Sequence, residues 1–359
     1  MCFNLINLNM KILFIAPYPN EENSKDGMVQ RVKHVDNIFS KYERGYLDVQ
    51  HRKNFKGKTQ IVDHLVKTYQ LNSVVHMPAI HKILNTYDKI YVHSIAGLFY
   101  LLWILPFIDF KKIILDAHGI FPEELKFARS KKFIVFALIE KYVFSKLTRI
   151  ICVTNAMRNH FIKKYPHTNS DNYFVYNILP SFNTEYISPE PLNSTDKINV
   201  IYSGNLQAWQ NINLMLKVIS SNDKPHIKYT ILTGDVDGFK KELSRINLLH
   251  AEVLLASVKP QELPEYYSQA HYGFILRDDI DVNRVANPTK LIEYLSFGII
   301  PIVKTPNIGD FMELGYEYIS YLDFSEISQP KKSLNNQNIY KNLVKKMKNA
   351  NLEGFVTNG

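Results

Sequence analysis

A chain of 359 residues is longer than one hydrophobic core usually serves, so two domains are expected. With 46% hydrophobic and 13% aromatic residues it is not a disordered chain, and two cysteines, Cys2 and Cys152, exclude a disulfide framework or a cysteine metal cluster. The formal net charge of +9 favours anionic partners: nucleotides, phosphates, nucleic acid or an acidic membrane surface.

The N-terminal run MCFNLINLNMKILFIAPYP lacks the basic region and small-residue cleavage site of a signal peptide, which implies a cytoplasmic protein, and Met10 directly precedes the first strand. That strand is KILFIAPYP from Lys11 to Pro19, followed by the turn-rich loop NEENSKDG. After Gly27, Val32, Val35 and Phe39 recur at helical spacing. Strand, glycine-bearing loop and helix open a doubly wound α/β domain. The runs KIYVHS, KIILDAHG, RIICVTN and YFVYNIL continue the strands, and FIVFALIEKYVFSKL is a helix between two of them. The apolar stretch from Ile95 to Phe110 is interrupted by Gly97, Pro106 and Asp109 and is too short to span a bilayer, so it reads as a buried crossover helix.

SPEPLNST carries no periodicity and marks a linker. The pattern then restarts with the strand INVIYSGN and the helix NINLMLKVI. Strands IKYTILTGD, EVLLASV and YGFILRD follow, then the helix NPTKLIEYLSFG and the strand IIPIVK. This alternation argues two parallel sheets covered by helices, an α/β class of two Rossmann-like units. The expected division is a first domain over 1–187, a linker over 188–196, a second domain over 197–335 and a C-terminal helix and tail over 336–359. Ligands of such sheets bind beyond the carboxyl ends of the strands.

One helix start stands out. In NPTKLIEYLSFG, Asn287 suits the N-cap, Pro288 the first helical position and Gly298 the C-terminal cap. Lys290 then lies in the first turn, where the helix dipole disfavours a cation, and Glu293 lies one turn deeper. A bound anion resolves the conflict, because a helix N-terminus also offers free amides to phosphate. A solvated Lys290–Glu293 surface pair is the simpler alternative.

The line YGFILRDDIDVNRVANPTKLIEYLSFGIIPIV resembles the donor-site signature of retaining GT-B glycosyltransferases, family 4, in particular the bacterial capsule and surface-polysaccharide branch. DGMVQRV, LDAHGIFPEE, TRIICVTNAMRNHF, YFVYNILPSF and IYSGNLQAWQNINLMLKVI resemble further segments of that family in the same order, from Lys11 to Val303. The resemblance implies the GT-B fold and transfer of a sugar from a nucleotide-sugar, UDP-linked, to a glycan or lipid-linked oligosaccharide in capsule or lipopolysaccharide assembly. It implies that Glu293 holds the ribose and that Asn287 and Thr289 lie in the segment facing sugar and phosphates. It places His118 beside the donor sugar and Gly27 where backbone approaches the diphosphate.

The chain departs from the pattern at three places. Val285 stands where the family has a second Glu, and Gly204-Asn205 and Gln210-Asn211 stand where Gly-Arg and Lys-Gly usually grip phosphate. Lys290 and Arg277 are the cations left to stabilise the leaving diphosphate, with no metal or other cofactor and no protein nucleophile. Asp279 and Asp281 have the spacing of a metal-binding Asp-x-Asp, which the two-domain pattern argues against. His93 ends a strand and either faces the ligand crevice or is structural. Tyr202, Trp209 and Tyr294 read as packing residues, Trp209 also as a possible border of the base.

Between Lys126 and Lys146, Lys126, Arg129, Lys131, Lys132, Lys141 and Lys146 interleave with Phe133, Phe136 and Phe144. That pattern fits either a peripheral contact with anionic membrane at the inner face of the cell membrane or a basic solvated face over a packed aromatic one. No recognition motif supports nucleic acid as a partner. Two other functions stay open: a sugar-nucleotide epimerase of the same fold, and a non-catalytic nucleotide-sugar-binding subunit.

Overall fold

A computed structural model of the chain describes residues 10–20, 27–180 and 197–358. Two compact units emerge, Met1–Ile178 with Ala350–Gly359, and Leu179–Asn349. The linker expected at 188–196, and most of the loop expected before Gly27, lie outside the described residues.

The first unit is built on β1 (Lys11–Ile15), β2 (Glu43–Gln50), β3 (Lys58–Asp63), β4 (Val66–Asn72), β5 (Lys89–His93), β6 (Ile113–Ala117), β7 (Ile150–Cys152) and β8 (Tyr173–Val175). Their order is β3-β4-β2-β1-β5-β6-β7-β8, parallel throughout except for the β3–β4 pair. β5, β6 and β7 are buried along their whole length, which is why they read as mainly apolar runs, broken by Lys89, His93 and Asp116. β2 to β4 carry no such signal. In β2, Arg44 is buried because it pairs with Asp36 at 2.6 Å, so a charge stands where pattern reading looks for an apolar residue. β3 is exposed at every position.

The crossover helix expected from Ile95 to Phe110 is reduced to one turn, Ala96–Phe99, followed by turns and the short 3-10 segments Leu105–Phe107 and Phe110–Lys112. Pro106, which lacks an amide donor, sits in the first turn of the Leu105–Phe107 segment, and Trp103 and Phe107 lie in solvent. The Phe133–Phe144 helix forms as expected, with Phe136, Ile139, Val143 and Phe144 inward.

In the second unit the strands are β9 (Ile198–Ser203), β10 (Ile227–Leu232), β11 (Glu252–Ala256), β12 (Tyr272–Ile275), β13 (Ile300–Val303) and β14 (Ile319–Ser320), ordered β11-β10-β9-β12-β13-β14 and all parallel. Alternate residues feed separate cores. Ile201 and Ile275 join Leu291, Ile292 and Leu295 of the Thr289–Ser296 helix, whereas Val200, Tyr202 and Phe274 join Met215 and Ile219 of the Ile212–Ser221 helix.

The C-terminal residues do not form one tail. Helix Leu334–Asn349 packs on the second unit through Leu343 and Met347. Helix Leu352–Thr357 belongs to the first, where Phe355 stacks on Phe174 at 4.8 Å and Glu353 accepts from the Tyr42 hydroxyl at 2.6 Å.

The Thr289–Ser296 helix ends as its sequence implies. The Ile299 amide bonds to the Tyr294 carbonyl at 2.9 Å and the Gly298 amide to Leu295 at 3.0 Å, with Gly298 left-handed at φ +66°. A Cβ there would also lie 3.0 Å from Gln337 Nε2 and 3.1 Å from the Ser333 carbonyl oxygen. Replacing Gly298 with Ala should therefore lower unfolding free energy by about 1–2 kcal/mol in urea titration, with the fold retained by circular dichroism.

Candidate functional site

In each sheet the strand order reverses once, between β1 and β5 in the first unit and between β9 and β12 in the second. Crossovers leave such a point in opposite directions, which opens a crevice at the carboxyl ends of the strands. Gly204 directly follows β9, and Arg277 follows β12 by two residues. His93 ends β5, and His118 directly follows β6. Sequence-derived candidates thus gather at strand ends in both units.

In the second unit Lys290 reaches back from its helix across the end of β9. Its ammonium lies 3.8 Å from the centroid of the Tyr202 ring and donates to Gln210 Oε1 at 3.2 Å. A Cβ at Gly204 would lie 2.7 Å from Lys290 Nζ and 3.0 Å from the Tyr202 hydroxyl, so glycine at 204 makes the room the ammonium occupies. Arg277 adds a second cation, its Nη1 donating to Asn283 Oδ1 at 3.3 Å. Burial, and then the Arg277 charge, hold the Lys290 ammonium well below the usual lysine range, while Glu293 opposes them. Burial likewise pushes the Arg277 guanidinium down to about 10. Among the described residues neither cation forms an ion pair with a carboxylate. The pocket therefore keeps an unneutralised positive charge.

The solvated Lys290–Glu293 pair does not form. Glu293 instead accepts from the Tyr267 hydroxyl at 2.7 Å through Oε2, and that hydroxyl also contacts Ser203 Oγ at 2.7 Å. Burial raises the Glu293 carboxyl above the ordinary range, with Tyr267 and Lys290 opposing.

Asn287 is not the N-cap. Pro288 takes that position in extended geometry (ψ 117°), so the helix starts one residue later, at Thr289. The amides of exposed Thr289 and of Lys290, first in the helix, then have no carbonyl of their own helix to bond. Asn205 is exposed, and its carbonyl oxygen accepts from the Tyr202 hydroxyl at 2.6 Å. Asn211 is left-handed at φ 52° and donates from Nδ2 to the Leu276 carbonyl at 2.7 Å, which ties the residues after β9 to the end of β12. Trp209 is partly exposed beside it, and Tyr294 is fully buried as a packing residue.

In the first unit His118 belongs to a buried relay. Arg31 grips Asp116 with two bonds, Nε to Oδ2 at 2.8 Å and Nη2 to Oδ1 at 2.6 Å, and the Tyr91 hydroxyl donates to Oδ2 at 2.9 Å. His93 Nδ1 and His118 Nε2 lie 3.5 and 3.4 Å from the same oxygen and 3.4 Å from each other. Burial alone would raise the Asp116 carboxyl, yet Arg31 and then His118 hold it well below the carboxylate range. Burial pushes His93 down to about 3, so it is neutral. Arg31 and Tyr91 were not singled out from sequence. The available signal was an arginine next to Val32 and Val35 on the inward side of the first helix.

His93, Asp116 and His118 are spaced like three corners of a tetrahedral metal set, for which ligand bonds run about 2.0–2.1 Å. Their surroundings fit a metal poorly. Asp116 Oδ2 already accepts from Arg31 and Tyr91, and a buried guanidinium holds the same carboxylate. His93 Nε2 is buried without a partner, so coordination through Nδ1 would leave an unpaired N–H inside. Asp279 and Asp281 are likewise engaged, both by Arg284, at 2.7 and 3.3 Å. Gly27 opens the helix Gly27–Ile38 of the first unit.

Replacing Asp116 with Asn would leave the Arg31 guanidinium buried without its counter-charge. Unfolding free energy should fall by about 3–5 kcal/mol in urea titration. Because the folded Asp116 value is depressed, its contribution is present above the unfolded carboxylate range and lost as pH falls through the folded value, so the variant should also lose part of the acid dependence of stability.

No protein-family model and no curated protein matches the chain. Solved structures do. Over 97% of its length the chain aligns with 96% of a sucrose-phosphate synthase from Thermosynechococcus elongatus, at TM-score 0.65 and 10% identity. It aligns over 97% with 97% of the E. coli trehalose-6-phosphate protein bound with UDP-2-fluoro glucose, at TM-score 0.59 and 11% identity. A glycosyltransferase from Rickettsia africae aligns with 97% of this chain over 96% of its own, at TM-score 0.58 and 11% identity. Likeness at such low identity concerns the backbone, and with two parallel Rossmann-like sheets the chain has the α/β GT-B fold.

Proposed function

We propose that the chain is a glycosyltransferase. It moves a sugar from a nucleotide-sugar, UDP-linked, to a glycan or lipid-linked oligosaccharide of bacterial surface polysaccharide, with retention and without a metal. The observation that carries this reading is the pocket of Lys290 and Arg277 at the β9–β12 switch point, where two desolvated cations meet only neutral acceptors among the described residues. A diphosphate supplies the missing charge. The E. coli structure of the same fold, with UDP-2-fluoro glucose bound, supports the choice of nucleotide.

Negative charge grows on the diphosphate as the glycosidic bond breaks, so cations held in a dry pocket stabilise the transition state more than the ground state. Lys290 and Arg277 do this from fixed positions, with the first amides of the Thr289–Ser296 helix as further donors. Gln210 stands where the family's phosphate-gripping lysine would be, and it anchors the Lys290 ammonium that replaces it. Tyr267 occupies one oxygen of Glu293 and leaves Oε1 for a ribose hydroxyl. Asp116 lies against His118 Nε2, which leaves Nδ1 as the nitrogen for a ligand at the strand ends of the first unit.

A second reading rests on Val285, buried and apolar where the family carries an acid. A binding subunit that holds the nucleotide-sugar without transferring it would tolerate that change. Binding with no transfer across an acceptor panel would support it, and conversion of the donor in acceptor-free mixtures would support an epimerase.

Replacing Lys290 with Ala should lower turnover by ~10²–10³ while weakening nucleotide-sugar binding much less. Glu293→Gln should chiefly weaken binding. Stability of the unliganded Lys290 variant should hold or rise: a depressed lysine value means its charged form is unfavourable in the folded state at every pH below that value. EDTA should leave activity largely intact, and loss restored by Mn²⁺ would bring Asp279 and Asp281 back as ligands.

A further inference from the structure

The Phe133–Phe144 helix turns a second apolar face outward. Phe133 is half-buried and Phe136 and Phe144 are buried, so the aromatic residues expected at a membrane face are packing residues. Ile134, Val135, Leu138 and Tyr142 instead point to solvent, with Ile134 56% and Leu138 65% exposed. Their spacing places them on one side of the helix.

The segment between residues 100 and 112 extends this surface. It is tied to the helix at both ends, by Phe99 packing on Phe136 at 5.2 Å and by Phe110 meeting Tyr142 at 5.9 Å. Between those anchors Trp103 is 69% and Phe107 71% exposed. Exposed lysines surround the patch: Lys111, Lys126, Lys131, Lys132, Lys141 and Lys146. Asp109 is the one exposed carboxylate in the two segments 100–112 and 126–146, since Glu140 is buried against Lys164 and Tyr165.

We propose that this face of the first unit docks on an anionic lipid bilayer. Aliphatic side chains with an exposed tryptophan and phenylalanine fit the headgroup–acyl boundary, and the lysines meet anionic headgroups at the same depth. No described helix is long and apolar enough to cross a membrane, so the contact is peripheral. A second copy of the chain is the poorer occupant, because a two-fold interface would bring one ring of lysines against another. Nucleic acid would leave the aliphatic stripe unpaired. The inference does not depend on the donor-site reading, although a bilayer-borne acceptor would give the docking a purpose.

Flotation of the full chain with phosphatidylcholine vesicles, with and without phosphatidylglycerol, tests it. The protein should float only with the anionic vesicles and release at high salt. Lys131→Glu combined with Lys132→Glu should lower partitioning at least ~10-fold, given the ~1 kcal/mol contributed per surface lysine. Leu138→Ser should lower it with charge intact, and all variants should keep wild-type melting curves and UDP affinity. Equal binding to neutral vesicles, or binding unchanged by both variants, would overturn the proposal. So would a dimer in light scattering that Leu138→Ser dissociates while flotation stays the same.

Discussion

The second unit holds two cations in one partly desolvated pocket without a carboxylate to neutralise either. Lys290 rests on the face of Tyr202 and on the side-chain oxygen of Gln210, and Arg277 rests on the side-chain oxygen of Asn283. Neutral acceptors keep the cations in place but leave their charge uncancelled. A carboxylate would stabilise the empty protein more and would compete with any incoming anion. The nearby acid, Glu293, is drawn off by Tyr267 instead. Much of the local structure follows from this arrangement. Gly204 has no Cβ because the ammonium needs its space, and Asn211 adopts a left-handed backbone while tying the strand ends together.

The first unit solves the opposite problem. Asp116 is wholly buried, and Arg31, Tyr91 and His118 supply what water would have given it. The ion pair is bidentate and closed, which suits a fixed support better than a ligand site. The partly exposed end of the relay is His118, which is oriented from behind by a group that never reaches the surface.

The strand runs and the marked helix ends were legible because both sheets are covered on two faces, which makes β5, β6 and β9 mainly apolar, with Lys89, His93, Asp116, Asn199 and Ser203 as the exceptions. Lys290 was legible as an electrostatic contradiction at a helix start. The cap itself was misplaced by one residue, since Asn287 has the better capping side chain but Pro288 remains extended. β2 to β4 were hidden by the Arg44–Asp36 pair and by a wholly exposed β3, features that depend on partners distant in sequence. The same limit hid Arg31 and Tyr267, whose roles come from residues 85 and 26 positions away. On the Phe133–Phe144 helix the composition was informative but the faces were not. Being apolar almost all round, its sequence gave no inward side, and only packing against Phe99 and Phe121 shows that the aromatics are internal.

The central claim is that the pocket recognises the diphosphate and not the nucleoside. Calorimetric titration of UDP, UMP and uridine into the same preparation tests it most directly. Charge-assisted hydrogen bonds contribute about 1.5–3 kcal/mol each, so UDP should bind at least ~10-fold more tightly than uridine. Replacing Lys290 with Met should shrink the UDP preference, with Arg277 and the helix amides retaining part of it, and leave uridine binding unchanged. Equal affinity for uridine and UDP, or a UDP preference undiminished in the Met variant, would contradict the role assigned to the cation pair.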